Sequence, residues 1–293
     1  MVIRRFMDRN LVFSFTLFGK TISVYWYGVM IAIGILACFT ILFLYCKYKK
    51  VSEKFTDFCF YNALASIACG IGGAALFQAV YNYIENPSAG FNFGSGLTFI
   101  GGLIGGVGFF LVVYFILWRK FDDTLLKIMP IVGSCVTVAH GFGRIGCFIA
   151  GCCYGIPTGS DYGCYFDTLT KVHPTQIYEA VFLFILCAVL TFLAFKYEFQ
   201  YNMGIYLIAY GIFRFINEYF RGDDRGEFFI KFLSPSQFWS IVMVLLGVAY
   251  ILAIKYDLFG KARASLDIAK HNRDIAKENE SKKADNVSEN EEK

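Results

Sequence analysis

Charged side chains are scarce in this chain, and their scarcity decides its broad class. Of the 293 residues only 17% are Asp, Glu, Lys or Arg, while 57% are hydrophobic and 19% are aromatic. A soluble domain rarely combines so little charge with so many aromatic residues. Apolar runs long enough to cross the roughly 30 Å hydrocarbon core of a bilayer recur along the chain. The sequence therefore predicts a polytopic membrane protein surrounded by the lipid bilayer.

Other features are missing too, and each absence excludes a class of function. The net charge is only +4, which gives no reason to expect a nucleic-acid partner. Paired carboxylates within the apolar runs and a clear internal repeat are both lacking, so an alternating-access transporter is disfavoured. The first apolar run is too long for a cleavable signal peptide, and no small-residue cleavage site follows it, so we expect none.

Hydropathy predicts an all-α fold with about seven transmembrane helices. The expected spans are residues 22–45, 58–83, 97–117, 125–149, 176–195, 203–219 and 236–255. Lysines and arginines crowd the first and third loops, whereas the second loop has none. The positive-inside rule makes those two loops cytoplasmic, which predicts an N-terminus outside and a C-terminus in the cytoplasm. Arg4, Arg5, Arg9 and Lys20 oppose this orientation.

The chain changes character after about residue 260. Residues 1–260 carry all the apolar runs and form one predicted transmembrane domain. Residues 261–293 are rich in Lys, Glu, Asp and Asn and have almost no aromatic side chains. Such a segment cannot bury a core, so we predict a charged, disordered cytoplasmic tail.

The most informative segment is residues 140–155, His-Gly-Phe-Gly-Arg-Ile-Gly-Cys-Phe-Ile-Ala-Gly-Cys-Cys-Tyr-Gly. It places Arg144 at the end of an apolar run, among glycines that allow close backbone approach. A guanidinium is costly at membrane depth and is kept mainly where it faces a partner. Its planar, forked donors suit a phosphate. The segment therefore predicts a site for the phosphate of a phospholipid head group.

Further polar residues are expected to meet Arg144 in the outer leaflet. His140 lies four residues before it, on the same helical face. Arg214, Glu218 and Arg221 recur at spacings of four and three, so they also share one face. A salt-bridge ladder with arginines that reach towards water explains this second group equally well. The convergence of both groups at one membrane face favours a binding site.

Four of the ten cysteines fall on the predicted outer side, namely Cys147, Cys152, Cys153 and Cys164. A disulfide from Cys164 to Cys152 or Cys153 is one interpretation. A zinc site is a second, which the adjacent Cys152-Cys153 pair disfavours because zinc ligands are usually spaced further apart. A reactive thiol beside Arg144 is a third. We expect no metal and no cofactor.

Glycines are concentrated in two neighbouring spans. They are Gly70, Gly72 and Gly73 in one span and Gly101, Gly102, Gly105 and Gly106 in the next. Small residues let helix backbones approach closely, so these spans are expected to pack against each other. The same glycines would also leave room for a lipid.

Together the motifs resemble those of the prolipoprotein diacylglyceryl transferases, bacterial inner-membrane enzymes that lipidate the lipobox cysteine of prolipoproteins. The resemblance extends over most of the membrane domain. The matching segments are Trp26-Tyr27-Gly28, Gly101-Gly102-Leu103-Ile104-Gly105, Gly143-Arg144-Ile145-Gly146 through Gly155, His173-Pro174-Thr175-Gln176-Ile177-Tyr178-Glu179, and Tyr210-Gly211-Ile212-Phe213-Arg214 with Glu218 and Arg221.

The resemblance implies a reaction and a set of site residues. A diacylglyceryl group would pass from phosphatidylglycerol to the cysteine thiol of a prolipoprotein signal peptide, giving a thioether and glycerol phosphate. The implied catalytic residues are Arg144, Arg214 and Tyr27, and we add His140 as a hypothesis of our own. The implied substrate-binding residues are Arg144, Cys147, Gly155, Tyr210, Glu218, Arg221, Gly101 and Gly102. The implied location is the bacterial cytoplasmic membrane, as a multi-pass protein of lipoprotein biosynthesis.

The chain departs from the family pattern at the positions that handle the proton. Ile100 stands where the family has a histidine, and Cys147 stands where it has an asparagine. We therefore expect His140 to supply the missing imidazole. Two alternatives stay open at this point, a paralogue with a different acceptor and a phospholipid-binding membrane protein without catalysis.

Overall fold

The computed structural model describes residues 11–17, 20–93, 96–166, 170–222, 233–258 and 260, and the structural statements below concern these residues. Seven α-helices account for most of them. The helices are α1 (Trp26–Tyr48), α2 (Glu53–Glu85), α3 (Phe99–Leu117), α4 (Leu125–Ala150), α5 (Thr175–Tyr197), α6 (Asn202–Asn217) and α7 (Pro235–Lys255). The predicted tail, residues 261–293, lies outside the described residues.

The helices confirm the predicted fold, a multi-pass membrane protein with about seven spans. Six of the described helices are long and apolar enough to cross a bilayer. The 23 residues of α1, for example, extend for about 34 Å. The exception is α6, which has 16 residues. A 3-10 turn over Glu218–Phe220 extends it at its C-terminal end.

The first span begins later than hydropathy predicts. Residues 22–25 belong to strand β2 (Lys20–Tyr25), which pairs antiparallel with β1 (Leu11–Leu17) in a two-stranded hairpin. Their β-branched and aromatic side chains favour an extended backbone, and hydropathy alone does not distinguish such a strand from a helix. The helix α1 therefore starts at Trp26.

The central element of the bundle is α4. It contacts α1, α5 and α6, and it is the most buried of the six candidate spans. The helix α6 also packs on α5 and α7, while α2 and α3 form a hairpin that contacts mainly itself. A buried amide joins three of these helices, because Asn202 Nδ2 donates to the carbonyl oxygens of Pro130 and Leu190.

The two ends of the bundle carry different side chains. The ends of α1 and α5 and the start of α4 bring lysines together, with Lys49 paired to Glu198 and Lys127 Nζ 2.7 Å from Asp123 Oδ1. We call this the lysine end. The C-terminal ends of α4 and α6 and the N-terminal ends of α5 and α7 meet at the opposite side. We call that side the arginine end.

Glycines bring the backbones of α2 and α3 into direct contact, as predicted. A Cβ atom added at Gly73 would lie 2.6 Å from the carbonyl oxygen of Gly101. A Cβ atom at Gly105 would lie 2.9 Å from the carbonyl oxygen of Cys69. Real Cβ atoms do not approach so closely, so a side chain at either position would push the helices apart.

The neighbouring glycines Gly72 and Gly73 provide a matched test of this contact. We expect Gly73→Ala to lower the free energy of unfolding by about 1–3 kcal/mol, because the methyl group overpacks the α2–α3 interface. Gly72 has no atom within 4 Å of its added Cβ. Gly72→Ala should therefore leave stability unchanged or raise it by up to about 1 kcal/mol. Thermal unfolding in detergent micelles measures both, and equal effects would contradict this packing.

Candidate active site

A buried carboxylate, Glu179 on α5, organises the arginine end. It is fully buried, and its Oε1 atom faces three partners from two other helices. The Tyr210 hydroxyl donates to it at 2.6 Å, Arg144 Nε lies 2.9 Å away, and His140 Nε2 lies 3.6 Å away. A buried carboxylate is very costly unless it is paired and hydrogen-bonded. This single oxygen therefore ties α4, α5 and α6 together.

Helical spacing brings these side chains to Glu179. His140 and Arg144 are four residues apart on α4, and Tyr210 and Arg214 are four residues apart on α6, so each pair shares a face. The imidazole of His140 packs edge-on against the Tyr210 ring, with 4.7 Å between centroids and 3.4 Å between Nε2 and the hydroxyl oxygen. The predicted convergence of the two helices is thus realised at the carboxylate.

Arg214 belongs to a second polar group that joins α6 to α7. Its Nη2 atom donates to Ser236 Oγ at 3.0 Å and lies 2.7 Å from Glu218 Oε2. Glu218 Oε1 accepts a hydrogen bond from Ser234 Oγ, and Arg221 Nε is 3.8 Å from Glu218 Oε2. The salt-bridge ladder expected from the spacing is present, and it also holds Arg214 in place.

Four buried polar atoms in these groups lack a hydrogen-bond partner among the described residues, namely Arg144 Nε, Glu179 Oε2, Arg214 Nη1 and Glu218 Oε2. Arg144 Nε and Glu218 Oε2 still lie within ion-pair distance of a charged partner. Buried polar atoms are nearly always satisfied in folded proteins, so an exception indicates a function or a missing ligand. The unpaired donor at Arg214 is suited to an anionic group, because a guanidinium nitrogen cannot lose its charge.

The segment after α4 lies across the arginine end and is fixed there by its backbone. Gly155 N donates to the His173 carbonyl at 2.8 Å, and Ile156 N donates to the Phe220 carbonyl at 2.9 Å. A Cβ atom added at Gly155 would lie 2.2 Å from the Phe220 oxygen, so the close approach requires glycine. This contact brings the ends of α4 and α6 together, with Arg221 in a β-bridge to Gly155.

Three of the cysteines form a compact group beside Arg144. The sulfur atoms of Cys147, Cys152 and Cys153 all lie within 4.8 Å of one another. Hydrogen bonds from Cys147 and Cys152 lower the pKa of the Cys153 thiol, and Arg221 lowers it further. Hydrogen bonds with Cys147 and Cys153 raise the pKa of the Cys152 thiol.

The fourth cysteine of the predicted outer group stands apart. Cys164 pairs with Val172 through two backbone hydrogen bonds, and it is outside the cluster of three sulfurs. All cysteines in the described part of the chain are free thiols. The disulfide predicted from Cys164 to Cys152 or Cys153 is therefore not formed, because the backbone pairing holds Cys164 elsewhere.

Most predicted site residues belong to the polar groups of the arginine end or contact them, but not all do. Tyr27 contacts this end of α4, since a Cβ atom at Gly146 would lie 3.0 Å from its Cδ2 atom. Gly101 and Gly102 instead pack against Gly73 and Gly70 of α2. A substrate-binding role for these two glycines stays a prediction, and helix packing accounts for their position.

Glu179 is the centre of the cluster, although it is not among the site residues predicted from the sequence. A signal was available, because an acidic residue in an otherwise apolar span indicates a functional site by default. Gln176 and Thr175 were also left out. Both are buried, and their side chains donate to the carbonyl oxygens of Cys152 and Cys153 at 2.6 and 2.9 Å. Polar residues at a helix start usually indicate only a cap, so their hydrogen bonds to the cysteine segment could not be predicted from their position.

The fold and the site define a multi-pass membrane protein with a buried carboxylate–arginine cluster at one end of its helices. Comparisons with known proteins identify its family. The family model for prolipoprotein diacylglyceryl transferase matches residues 14–253. The chain belongs to the prolipoprotein diacylglyceryl transferase family.

Named relatives agree over most of their length. The phosphatidylglycerol–prolipoprotein diacylglyceryl transferase of Clostridium tetani is 37% identical over 244 residues, which cover 80% of this chain and 94% of the relative. The protein of Clostridium perfringens named transferase 2 is 35% identical, with 78% of this chain and 90% of the relative covered. The Francisella tularensis subsp. novicida transferase is 32% identical, with coverages of 80% and 90%.

Removing the charge of Glu179 tests the importance of the cluster for stability. We expect Glu179→Gln to lower the free energy of unfolding by about 3 kcal/mol or more, because Arg144 keeps a buried charge without a counterion. Glu198→Gln is the matched control at the C-cap of the same helix, where Lys49 pairs with an exposed carboxylate. It should cost about 1 kcal/mol or less.

The double variant Glu179→Gln/Arg144→Gln completes the thermodynamic cycle for this pair. Removing both charges should cost less than the sum of the single changes, by about 0.5–3 kcal/mol. Chemical unfolding in micelles provides the free energies. Simple additivity of the two substitutions would show that the ion pair contributes nothing.

Proposed function

We propose that this protein transfers a diacylglyceryl group from phosphatidylglycerol to the cysteine thiol of a prolipoprotein, forming a thioether and releasing glycerol phosphate. Family membership and the names of the relatives support this reaction. The single observation that carries it is the arrangement of Arg144 and Arg214 around the buried Glu179 carboxylate. The guanidinium of Arg214 is buried and that of Arg144 is partly buried, and they come from separate helices at one end of the bundle.

The two arginines fit the phosphodiester of the donor lipid. A head-group phosphate carries one negative charge and accepts charge-assisted hydrogen bonds, which guanidinium groups supply in a fixed geometry. Arg214 offers a buried nitrogen without a partner among the described residues. Arg144 is oriented by Glu179 and Tyr210, so little side-chain freedom remains to be lost when the lipid binds.

The same arginines suit the chemical step. The acceptor sulfur attacks the glycerol carbon that bears the phosphate, so that a C–S bond forms and a C–O bond breaks. The electron pair of the broken bond leaves with the phosphate, whose negative charge therefore increases. Positive groups held in advance at this oxygen stabilise the developing charge without further reorganisation.

The acceptor thiol must lose its proton before or during the attack. His140 is the imidazole placed at the site, 3.4 Å from the Tyr210 hydroxyl and 3.6 Å from the Glu179 carboxylate. A histidine oriented by a carboxylate is a common general base. Ile100, at the position of the family histidine, lies on α3 with a side chain that is 39% exposed and apolar.

The arginine end is assigned to the exoplasmic face of a bacterial cytoplasmic membrane, where prolipoprotein signal peptides present their cysteine. The lysines at the opposite end support this orientation by the positive-inside rule. The N-terminus then lies outside and the C-terminal tail inside. Residues 1–260 form the transferase domain, and residues 261–293 are a separate charged tail.

A direct assay tests the proposed reaction. Purified protein in nanodiscs containing phosphatidylglycerol is incubated with a lipobox peptide, and the products are identified by mass spectrometry. We expect a thioether-linked diacylglyceryl peptide and glycerol phosphate in equal amounts, and no product with phosphatidylethanolamine alone or with a peptide whose cysteine is serine. Failure to form the thioether under these conditions would reject the transferase.

Substitution of one site arginine tests the role of the planar guanidinium. Arg144→Lys keeps the charge but loses the forked donors, so we expect kcat/KM to fall by about 100-fold or more. Arg119→Lys is the matched control. Arg119 lies over the Trp118 ring, directly after the C-terminal end of α3 and at the lysine end of the bundle. It should stay within about twofold of the unchanged protein. A similar loss in both variants would contradict the assignment.

Substitution of the histidine tests the proton acceptor. We expect His140→Ala to abolish transfer through kcat while KM for phosphatidylglycerol changes little, because both arginines remain. Steady-state kinetics on folded variant protein measure the two constants. Undiminished turnover, or a loss confined to KM, would reject a role for His140 in proton transfer.

A further inference from the structure

The thiols of Cys147, Cys152 and Cys153 form a cluster that has no role in the transferase reaction proposed above. The three sulfur atoms lie within 4.8 Å of one another, and none of the three cysteines is in a disulfide. Three thiolates bound to one zinc ion, at a Zn–S distance of 2.3 Å, lie about 3.8 Å apart. The sulfurs therefore need to move by no more than about 1 Å to share one ion.

The local backbone explains how two adjacent cysteines face the same point. The helix α4 ends at Ala150, its C-cap Gly151 has φ 67°, and Cys153 also has a positive φ of 65°. A positive φ is costly for a residue with a side chain, and such strain is retained mainly at functional sites. The turn brings the thiols of Cys152 and Cys153 back towards Cys147, which removes the objection raised by their adjacency in the sequence.

Neighbouring residues hold the cluster in this arrangement. Gln176 Nε2 donates to the Cys152 carbonyl and Thr175 Oγ1 donates to the Cys153 carbonyl, so α5 fixes both backbone positions. Cys152 N also donates to the Cys147 carbonyl at 3.1 Å, which closes the turn. Sites that bind metals tightly need such outer contacts to orient their ligands.

The charges around the cluster match a metal–thiolate centre. Three thiolates and a divalent ion carry a net charge of −1, which nearby cations can balance. Arg221 contacts Cys153, and Arg144 lies one turn before Cys147 on α4, close enough to act on it electrostatically. Cys152 is exposed, so an ion can enter from the aqueous side.

We propose that Cys147, Cys152 and Cys153 bind one thiophilic divalent metal ion, of the class of Zn²⁺, and leave its fourth coordination position open. Structural zinc sites are closed by four protein ligands, whereas sites with three protein ligands keep a position for water or substrate. Within the described residues the cluster provides three ligands.

The open position suits the thiol of the acceptor peptide, and this part of the inference rests on the proposed function. A thiol that binds the ion would do so as thiolate, with its proton passing to His140, the acceptor named in the proposed reaction. The bound sulfur then attacks the lipid carbon, the C–O bond to phosphate breaks, and the neutral thioether leaves the ion because it is a weaker ligand. The ion would thus sit beside the arginines that hold the leaving phosphate.

Cobalt provides a direct probe of the site that does not depend on activity. The full-length protein in micelles is reduced, freed of reductant and titrated with Co²⁺. We expect sulfur-to-cobalt charge-transfer absorption and intense visible bands of a four-coordinate ion, saturating at one equivalent and lost when Zn²⁺ is added. Cys152→Ser, which changes an exposed side chain, should weaken Co²⁺ binding by at least about tenfold with an unchanged melting temperature.

Cys164→Ser is the matched control, since Cys164 is a free thiol of the same loop outside the cluster. It should bind Co²⁺ like the unchanged protein. If reduced protein gives no thiolate–cobalt absorption, or if Cys164→Ser and Cys152→Ser weaken binding equally, the metal site is wrong. Isolation of the protein with two of the three cysteines in a disulfide, followed by no cobalt absorption after reduction, would identify a redox pair instead.

Addition of the lipobox peptide to the cobalt-loaded protein tests the open position separately. We expect the visible bands to shift and the charge-transfer absorption to rise with the cysteine peptide and not with its serine counterpart. A spectrum unchanged by the cysteine peptide would overturn the open position while leaving the metal site intact. Transfer activity in the nanodisc assay is measured independently, so failure of the proposed reaction is distinguished from failure of either metal result.

Discussion

The burial of the Glu179 carboxylate is the constraint on which the arginine end of this protein depends. A carboxylate cannot be held at this depth without partners, and here Tyr210, Arg144 and His140 supply them from two other helices. Each partner is itself restricted by the contact. The electrostatic requirement of one side chain therefore fixes the relative positions of α4, α5 and α6 and orients the groups that are proposed to bind the lipid.

The cluster also explains how a membrane protein keeps two arginines close together. Like charges repel, and each guanidinium is costly in an apolar medium. Glu179 offsets the charge of Arg144. Glu218 and Ser236 contact Arg214 from the other side, and Ser234 donates a hydrogen bond to Glu218. One nitrogen of Arg214 still has no partner among the described residues, so the site is stable enough to fold and retains capacity for an anionic ligand.

The fold followed from the sequence because hydropathy is a long-range average. The predicted spans differ most from the helices at two starts: α2 begins at Glu53 rather than at residue 58, and α1 begins at Trp26 rather than at residue 22. Residues 22–25 form a strand, which apolar content cannot reveal. The site was predicted less completely. Arg144, Arg214 and His140 stand out by residue type and spacing. Glu179 stands out as an acidic residue in an apolar span, but its central position becomes clear only from its burial and its three partners. The joining of Cys147, Cys152 and Cys153 depends on positive φ angles that the spacing of the cysteines does not disclose.

The proposed function depends on one interaction, in which guanidinium groups from α4 and α6 hold a single lipid phosphate between them. A structure of the protein with phosphatidylglycerol bound tests it most directly, through the distances from the phosphate oxygens to the two side chains. We predict hydrogen bonds to both Arg144 and Arg214 from the same phosphate, at about 2.7–2.9 Å. A phosphate bound to only one of them, or a head group located away from Glu179, would contradict the account.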